Sequence, residues 1–68
     1  MKAVSGKRMC KVLEKKGWKL DHISGSHHFY AHPDYDASIS VPVHGNKDLK
    51  KGTQHGIMKA AGLTDSDL

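Results

Sequence analysis

The residues of this chain best suited to chemistry are two adjacent histidines, His27 and His28, which follow the dipeptide Gly25-Ser26. Histidine exchanges a proton near neutral pH, because its ordinary pKa is about 6.5. Glycine allows close backbone approach, and a serine hydroxyl can orient an imidazole or donate to a phosphate oxygen. The formal net charge of +4 favours a polyanionic partner. The segment therefore indicates acid–base chemistry, with a phosphodiester as the first substrate to consider.

A metal site is the alternative use of six histidines. His28, Tyr30 and His32 would share one strand face, and His44 could approach them from a loop. Catalytic zinc sites commonly use three protein ligands. The sequence has no HExxH spacing, and Cys10 is its single cysteine, so it offers no thiolate pair. We therefore predict no metal and no cofactor.

A second group of charged residues, Lys47, Lys50 and Lys51, comes just before a predicted helix. The N-terminus of a helix offers backbone N–H groups and the positive end of the dipole, both of which favour phosphate. We predict that these lysines bind the phosphates of a polyanionic partner. The alternative is a solvated loop whose lysines only keep the protein soluble.

The size of the chain limits what it can build. Its 68 residues predict one domain over residues 1–68, with a thin core and no deep pocket for a large cofactor. The single cysteine excludes an intramolecular disulfide and fits a reducing compartment, so we expect a cytoplasmic protein. No apolar run approaches the roughly 20 residues of a membrane span, and the N-terminus lacks a secretory signal.

Two amphipathic helices are predicted, one near each end. Ser5 can cap the first, which begins near Gly6 and ends at Gly17. Its apolar face carries Met9, Val12 and Leu13, and Lys7, Lys11 and Lys15 are predicted to lie on its solvated face. Thr53 can cap the second helix, which Gly62 closes.

Three short strands are predicted between the helices, over Trp18 to Ser24, His27 to His32 and Ala37 to Val43. Gly25-Ser26 is the turn of the first hairpin. If Phe29 faces the core, strand alternation makes His28 face outward. The first strand should place Leu20 and His22 on one face and Ile23 on the other.

The resulting order is α-β-β-β-α. It predicts a two-layer α+β fold in which a three-stranded antiparallel sheet carries both helices on one face and leaves the other face open. This is the order of the double-stranded-RNA-binding fold.

Several segments together resemble the HicA toxin family, the messenger-RNA endonucleases of bacterial HicAB toxin–antitoxin pairs. They are Lys7 to Gly17, Gly25-Ser26-His27-His28, Val41-Pro42-Val43-His44, the run from Lys47 to Thr53, and Ile57, Gly62 and Leu63. The chain departs from the family pattern at Gln54 and His55, where an aliphatic and a basic residue are expected.

The resemblance implies a metal-independent ribonuclease and a cognate HicB-like antitoxin as partner. The catalytic histidine is the last residue of the Gly-Ser-X-His motif, which is His28 here. Gly25 and Ser26 would support it, and His27 occupies the variable position. The identity of the general acid stays open among His27, His44, a lysine and water.

Two other classes of function remain. In a non-catalytic RNA-binding module, the same lysines would hold RNA and the histidines would only contact it. A protein-interaction domain would show no salt-dependent binding to RNA. Cleavage of RNA would distinguish an enzyme from the RNA-binding module. Affinity for RNA would distinguish an enzyme from the protein-interaction domain.

Overall fold

The computed structural model of the protein describes residues 2–68. Along the chain the elements are helix α1 (Gly6–Lys15), strands β1 (Lys19–Ser24), β2 (His27–His32) and β3 (Tyr35–Pro42), helix α2 (Lys51–Ala61) and a short 3₁₀ turn (Asp65–Asp67). The predicted α-β-β-β-α order is confirmed. No helix within residues 2–68 is long and apolar enough to cross a membrane.

Helix α1 begins as predicted. The Ser5 hydroxyl accepts a hydrogen bond from the Arg8 backbone N–H at 3.1 Å, which satisfies one of the free donors of the first turn. The close fit of the helix start against β3 depends on Gly6, because a Cβ atom there would collide with the backbone carbonyl oxygen of Pro42. Gly6 therefore brings the first turn of α1 directly against the end of the sheet.

The three strands form one antiparallel sheet in the order β1-β2-β3. The hairpin between β1 and β2 turns on Gly25-Ser26 as predicted, with φ 59° at Gly25 and pairing of Ser24 with His27. A positive φ at the first loop residue favours glycine strongly. Strand β3 begins at Tyr35, earlier than the predicted Ala37, because Tyr35 pairs with His32.

The core lies between the sheet and both helices, as predicted. Its fully buried side chains include Met9 and Leu13 of α1 and Val41 of β3, and Ile57 of α2 is buried beside them. Tyr30 supplies the central residue of β2 and is only 2% exposed. The opposite face of the sheet is open to solvent.

The alternation within the sheet differs from the prediction. Tyr30, rather than Phe29, enters the core, and Phe29 lies half-buried on the open face, stacked on His22 with ring centroids 4.4 Å apart. The predicted faces of β1 are also wrong, because a bulge between Leu20 and His22 shifts the register. Leu20 pairs with Tyr30, whereas His22 pairs with Phe29.

Helix α2 starts earlier than predicted. Lys50 is its N-cap residue and makes no capping hydrogen bond with its side chain, and Thr53 lies inside the first turn, so the predicted Thr53 cap is wrong. The helix ends at Gly62, whose φ of 68° confirms the predicted left-handed cap.

Gln54, where the resemblance predicts an aliphatic residue, has a structural role in this chain. Gln54 is completely buried, and its side-chain oxygen accepts from the Val4 backbone N–H at 3.1 Å. Its side-chain nitrogen donates to the Lys2 carbonyl oxygen at 2.5 Å. The Leu49 N–H donates to the Val4 carbonyl at 2.8 Å. The segment before α1 is thereby fixed to the start of α2.

Candidate functional site

His28 lies on the helix-covered face of the sheet, in a groove between α1 and the first two strands. We call this the His28 groove. The outward orientation predicted for His28 is wrong, because Tyr30 takes the core position and His28, two residues earlier, shares its face. The residues lining the groove with His28 are Lys7, Cys10, Lys11, Glu14, Leu20, Tyr30 and Val43.

The His28 ring is partly buried. Within residues 2–68 it has no hydrogen-bond partner, in contrast to His22, whose Nδ1 lies 2.7 Å from the Asp21 carboxylate. A neutral imidazole carries an N–H donor at one nitrogen and an acceptor lone pair at the other. Both ring nitrogens of His28 are therefore available to a ligand in the groove.

The other members of the predicted motif do not share this groove. His27 is exposed on the open face, where its ring meets the edge of Phe29 at a centroid distance of 6.5 Å. Strand alternation thus places the two adjacent histidines on opposite faces of the sheet. Gly25 shapes the turn, and the Ser26 carbonyl accepts from the Val43 N–H at 2.7 Å. The structure gives the Ser26 hydroxyl no bond to His28.

A partly buried hydrogen bond forms the far wall of the groove. The Tyr30 hydroxyl donates to the Glu14 carboxylate at 2.9 Å. Burial, together with the neighbouring Cys10 and Glu14, raises the pKa of Tyr30 far above its ordinary value. Burial also raises the pKa of the Cys10 thiol, so both groups stay protonated near neutral pH. They hold the wall in place, and neither is suited to act as a nucleophile.

A second groove lies at the start of α2. It brings together two of the three predicted RNA-binding lysines, Lys47 and Lys50, with His44. Lys51 is exposed as the first residue of α2 and does not line this groove. Because the side chain of the N-cap Lys50 makes no capping bond, it leaves the first-turn N–H groups open to an anion.

The two grooves are neighbours. Pro42 lines the groove at α2 and the next residue, Val43, lines the His28 groove. Val41 pairs with His28, and Pro42 pairs with His27. The end of β3 and the residue that follows it thus contribute one residue to each groove.

A family model described as the HicA toxin of bacterial toxin–antitoxin systems matches residues 6–63. The chain belongs to the HicA toxin family. The match runs from the first residue of α1 to the leucine that follows α2, so it includes all five main elements of this HicA protein. Comparison with curated proteins gives no significant match.

Lys7 and Lys11 are the groove residues of this HicA chain that sequence reasoning missed. Both were assigned to the solvated face of α1, and both are exposed, yet they line the His28 groove. Their spacing with Cys10 and Glu14 is the i, i+3, i+4, i+7 pattern of one helix face. That pattern is visible in the sequence, but only the packing of α1 shows which strand the face meets.

His32 lies at the opposite end of β2 and is bound on both sides. Its Nε2 lies 3.1 Å from the Lys16 carbonyl oxygen, and its Nδ1 accepts from the Asp34 N–H at 3.0 Å. Its ring packs on Trp18 and Tyr35, with centroids 5.2 and 5.0 Å away. This histidine has a structural role in the HicA fold.

The packing of His32 also bears on the metal alternative. Four residues of strand, about 13 Å, separate His28 from His32, too far for one ion to bind both. Residues 2–68 contain no group of three or more His, Cys, Asp or Glu side chains placed to hold a metal ion.

Proposed function

We propose that this HicA protein is a metal-independent endoribonuclease that cuts messenger RNA, with His28 as its general base. The observation that carries the proposal is the state of the His28 ring, which is accessible from a groove that Lys7 and Lys11 line and has no hydrogen-bond partner within residues 2–68. Family membership adds support, because the match includes the Gly-Ser-X-His motif.

RNA supplies the nucleophile for this reaction. A nitrogen of His28 would take the proton of the 2′-hydroxyl while that oxygen attacks the neighbouring phosphorus. The bond from phosphorus to the 5′-oxygen breaks, and the leaving oxygen takes a proton from a general acid or from water. The products are a 2′,3′-cyclic phosphate and a 5′-hydroxyl end. One positioned acid–base group contributes about 10²–10⁴-fold in rate.

The groove at α2 would hold the RNA on one side of the cut. Lys47 and Lys50 line it, and Lys51 extends the positive surface along α2. The free N–H groups at the start of α2 would add donors to phosphate oxygens. In this proposal Gly25 and Ser26 shape the turn that presents His28, rather than touching the RNA.

The partner of the protein would be a HicB-like antitoxin. Membership of a toxin–antitoxin family supports a partner of this kind. A protein that covers the partly buried His28 groove would exclude RNA and stop cleavage. We propose this inhibition as the way in which the enzyme is controlled.

The test is cleavage of a long, unstructured RNA by purified protein in excess EDTA. We expect wild type to cut and to leave 2′,3′-cyclic phosphate ends, and His28→Ala to lose about 10²–10⁴-fold in rate, because the general base is gone. DNA of the same sequence lacks the 2′-hydroxyl and should stay intact. Equal circular dichroism of the two proteins would show that folding is unchanged.

Three outcomes would reject the proposal. Full activity of His28→Ala would remove His28 from the mechanism. Salt-dependent RNA binding without cleavage by wild type would favour the non-catalytic RNA-binding module, which the two lysine-lined grooves also fit. Activity restored only by added zinc would revive the metal alternative.

A further inference from the structure

Three contacts fix the alignment of α1 along β2. Gly6 touches the carbonyl of Pro42, which pairs with His27 at the start of β2. Glu14 accepts from Tyr30 in the middle of the strand, at 2.9 Å. The Lys16 carbonyl meets His32 at its end, at 3.1 Å. Helix and strand therefore run in the same direction, and His28 lies level with the first two turns of α1.

Lys7 and Lys11 are the cationic side chains of those two turns that enter the groove. Being four residues apart, they are neighbours on one helix face, with Cβ atoms about 5–6 Å apart. Both are exposed, and within residues 2–68 neither forms an ion pair. Two ammonium groups without an ion pair thus line the same groove as the His28 ring.

The charge of the groove changes sign along its length. Glu14 lines the end near Leu20, where the Tyr30 hydroxyl holds its carboxylate in place. The other titratable groups facing the groove, Cys10 and Tyr30, are uncharged near neutral pH. A polyanion is therefore attracted to the His28 end and repelled from the Glu14 end.

We propose that Lys7 and Lys11 form the phosphate-binding wall of the His28 groove. They hold the scissile phosphate and its neighbour against the ring, and they stabilise the negative charge that grows on the phosphate oxygens in the transition state. This inference rests on the proposed ribonuclease function. It gives α1 a direct part in the reaction and leaves the groove at α2 to bind nucleotides farther along the strand.

The first test measures binding alone, with a 2′-O-methyl RNA oligonucleotide that lacks the attacking hydroxyl and cannot be cut. The test variant is Lys7→Gln/Lys11→Gln. The matched control is Lys15→Gln/Lys19→Gln, which removes the same charge from exposed positions outside the groove. Affinity is measured by fluorescence anisotropy over a range of salt concentrations.

The slope of log K against log salt is negative. We expect it to be less steep by about 1.4 in the test variant, because each contact to a single-strand phosphate contributes about 0.7 to its magnitude. The control should keep the slope of wild type. Equal losses in the two variants would mean that only net charge matters, and an unchanged slope in the test variant would remove Lys7 and Lys11 from the site. Either result overturns the inference.

The second test measures cleavage of unmodified RNA by the same proteins. We expect kcat/KM to fall about 10²-fold in the test variant, with part of the loss in kcat. Lys7→Arg/Lys11→Arg keeps both charges and should recover most of the activity, whereas no recovery would count against a charge effect. If wild type binds through these lysines but never cuts, the proposed function fails and the phosphate wall remains. If wild type cuts and the test variant binds and cuts as well as wild type, the wall fails and the proposed function remains.

Discussion

The two ends of β2 present the same residue type on the same face of the sheet, in opposite states. At one end His28 lies in a groove that Lys7 and Lys11 line, and within residues 2–68 its ring has no hydrogen-bond partner. At the other end both ring nitrogens of His32 are bonded, and its ring packs between Trp18 and Tyr35. A ring held at both nitrogens can exchange a proton only by breaking its own bonds, whereas a ring without partners can bind a substrate.

The difference arises from how α1 lies on the sheet. Its last turn closes over the end of β2, where Lys16 offers a carbonyl oxygen that the helix leaves free. Its first turns leave a gap beside His28, which exposed side chains line without filling. Of these two histidines on one face of β2, His28 is therefore the one that the fold leaves available to a substrate.

The largest effect is expected from a substitution that pushes α1 away from β3 at the His28 end. In Gly6→Ala the new methyl group collides with the Pro42 backbone, which cannot move without disturbing β3. We expect a loss of about 3 kcal/mol in the free energy of unfolding, the upper range for overpacking. Cleavage should fall as well, because Lys7 moves away from His28. Urea unfolding and a cleavage assay on the folded fraction measure the two effects.

Gly56→Ala is the matched control for this prediction. Gly56 lies within α2, and a Cβ atom there would meet nothing within 4 Å. Alanine should stabilise the helix by about 0.5–1 kcal/mol relative to glycine. If Gly6→Ala behaved like this control, the close contact between α1 and β3 would not be a constraint on the site.

A smaller and opposite effect is expected at the other end of β2. His32→Ala removes a ring that bonds Lys16 and Asp34 and packs on Trp18. We expect the protein to lose about 1–3 kcal/mol of stability, since two hydrogen bonds and the packing of the ring on Trp18 are lost. The rate of cleavage by the folded protein should stay unchanged. Urea unfolding is again the measurement.

His28→Ala should have the opposite effects on stability and cleavage. Because its ring makes no hydrogen bond within residues 2–68, we expect stability to change by less than about 0.5 kcal/mol while cleavage is lost. If His32→Ala reduced the rate as strongly as His28→Ala at equal folding, the contrast between the two ends would be wrong.

The smallest effect concerns pH at the His32 end. Lys16 bonds Asp67 at 2.8 Å, and this bond, followed by the Thr64 backbone N–H, lowers the pKa of the Asp67 carboxyl. A lowered pKa means that the stabilisation is complete above the ordinary pKa of Asp, about 3.9, and is lost as pH falls through the lower value in the folded protein. In Asp67→Asn the contribution is absent at every pH.

The stability difference between wild type and Asp67→Asn should therefore narrow as pH falls below about 4. Thermal unfolding from pH 7 to pH 2 measures it, and Asp65→Asn is the control at an exposed neighbour. A difference that stayed constant to pH 2 would show that the ion pair with Lys16 contributes nothing. Cleavage by the two variants should be the same at neutral pH.

Much of the fold follows from local patterns in the sequence. The Ser5 cap, the Gly25-Ser26 turn and the Gly62 cap each occupy the position predicted for them. Each depends on the conformational preferences of one or two residues. Thr53 is not the cap, because α2 already begins at Lys51, two residues earlier. Tertiary contacts rather than local sequence set that start.

Local patterns do not predict on which face of the sheet His28 lies. Phe29 and Tyr30 are both plausible core residues, and the partner that decides between them is Glu14, which accepts the Tyr30 hydroxyl from across the sheet–helix interface. Choosing Phe29 reverses the side on which His28 lies. The bulge between Leu20 and His22 likewise reverses the faces of β1 without any signal from glycine or proline. The motif predicts His28 as the candidate residue, but it does not predict the side chains that surround its ring.

The bonds of Gln54 to Lys2 and Val4 have a consequence for synthesis on the ribosome. These contacts join residues 50 or more positions apart, so they cannot form until α2 has left the exit tunnel. The hairpin of β1 and β2, with its near-neighbour pairing, needs none of that later chain. A nascent chain can thus present the histidine strand early, while the segment that leads into α1 is anchored last.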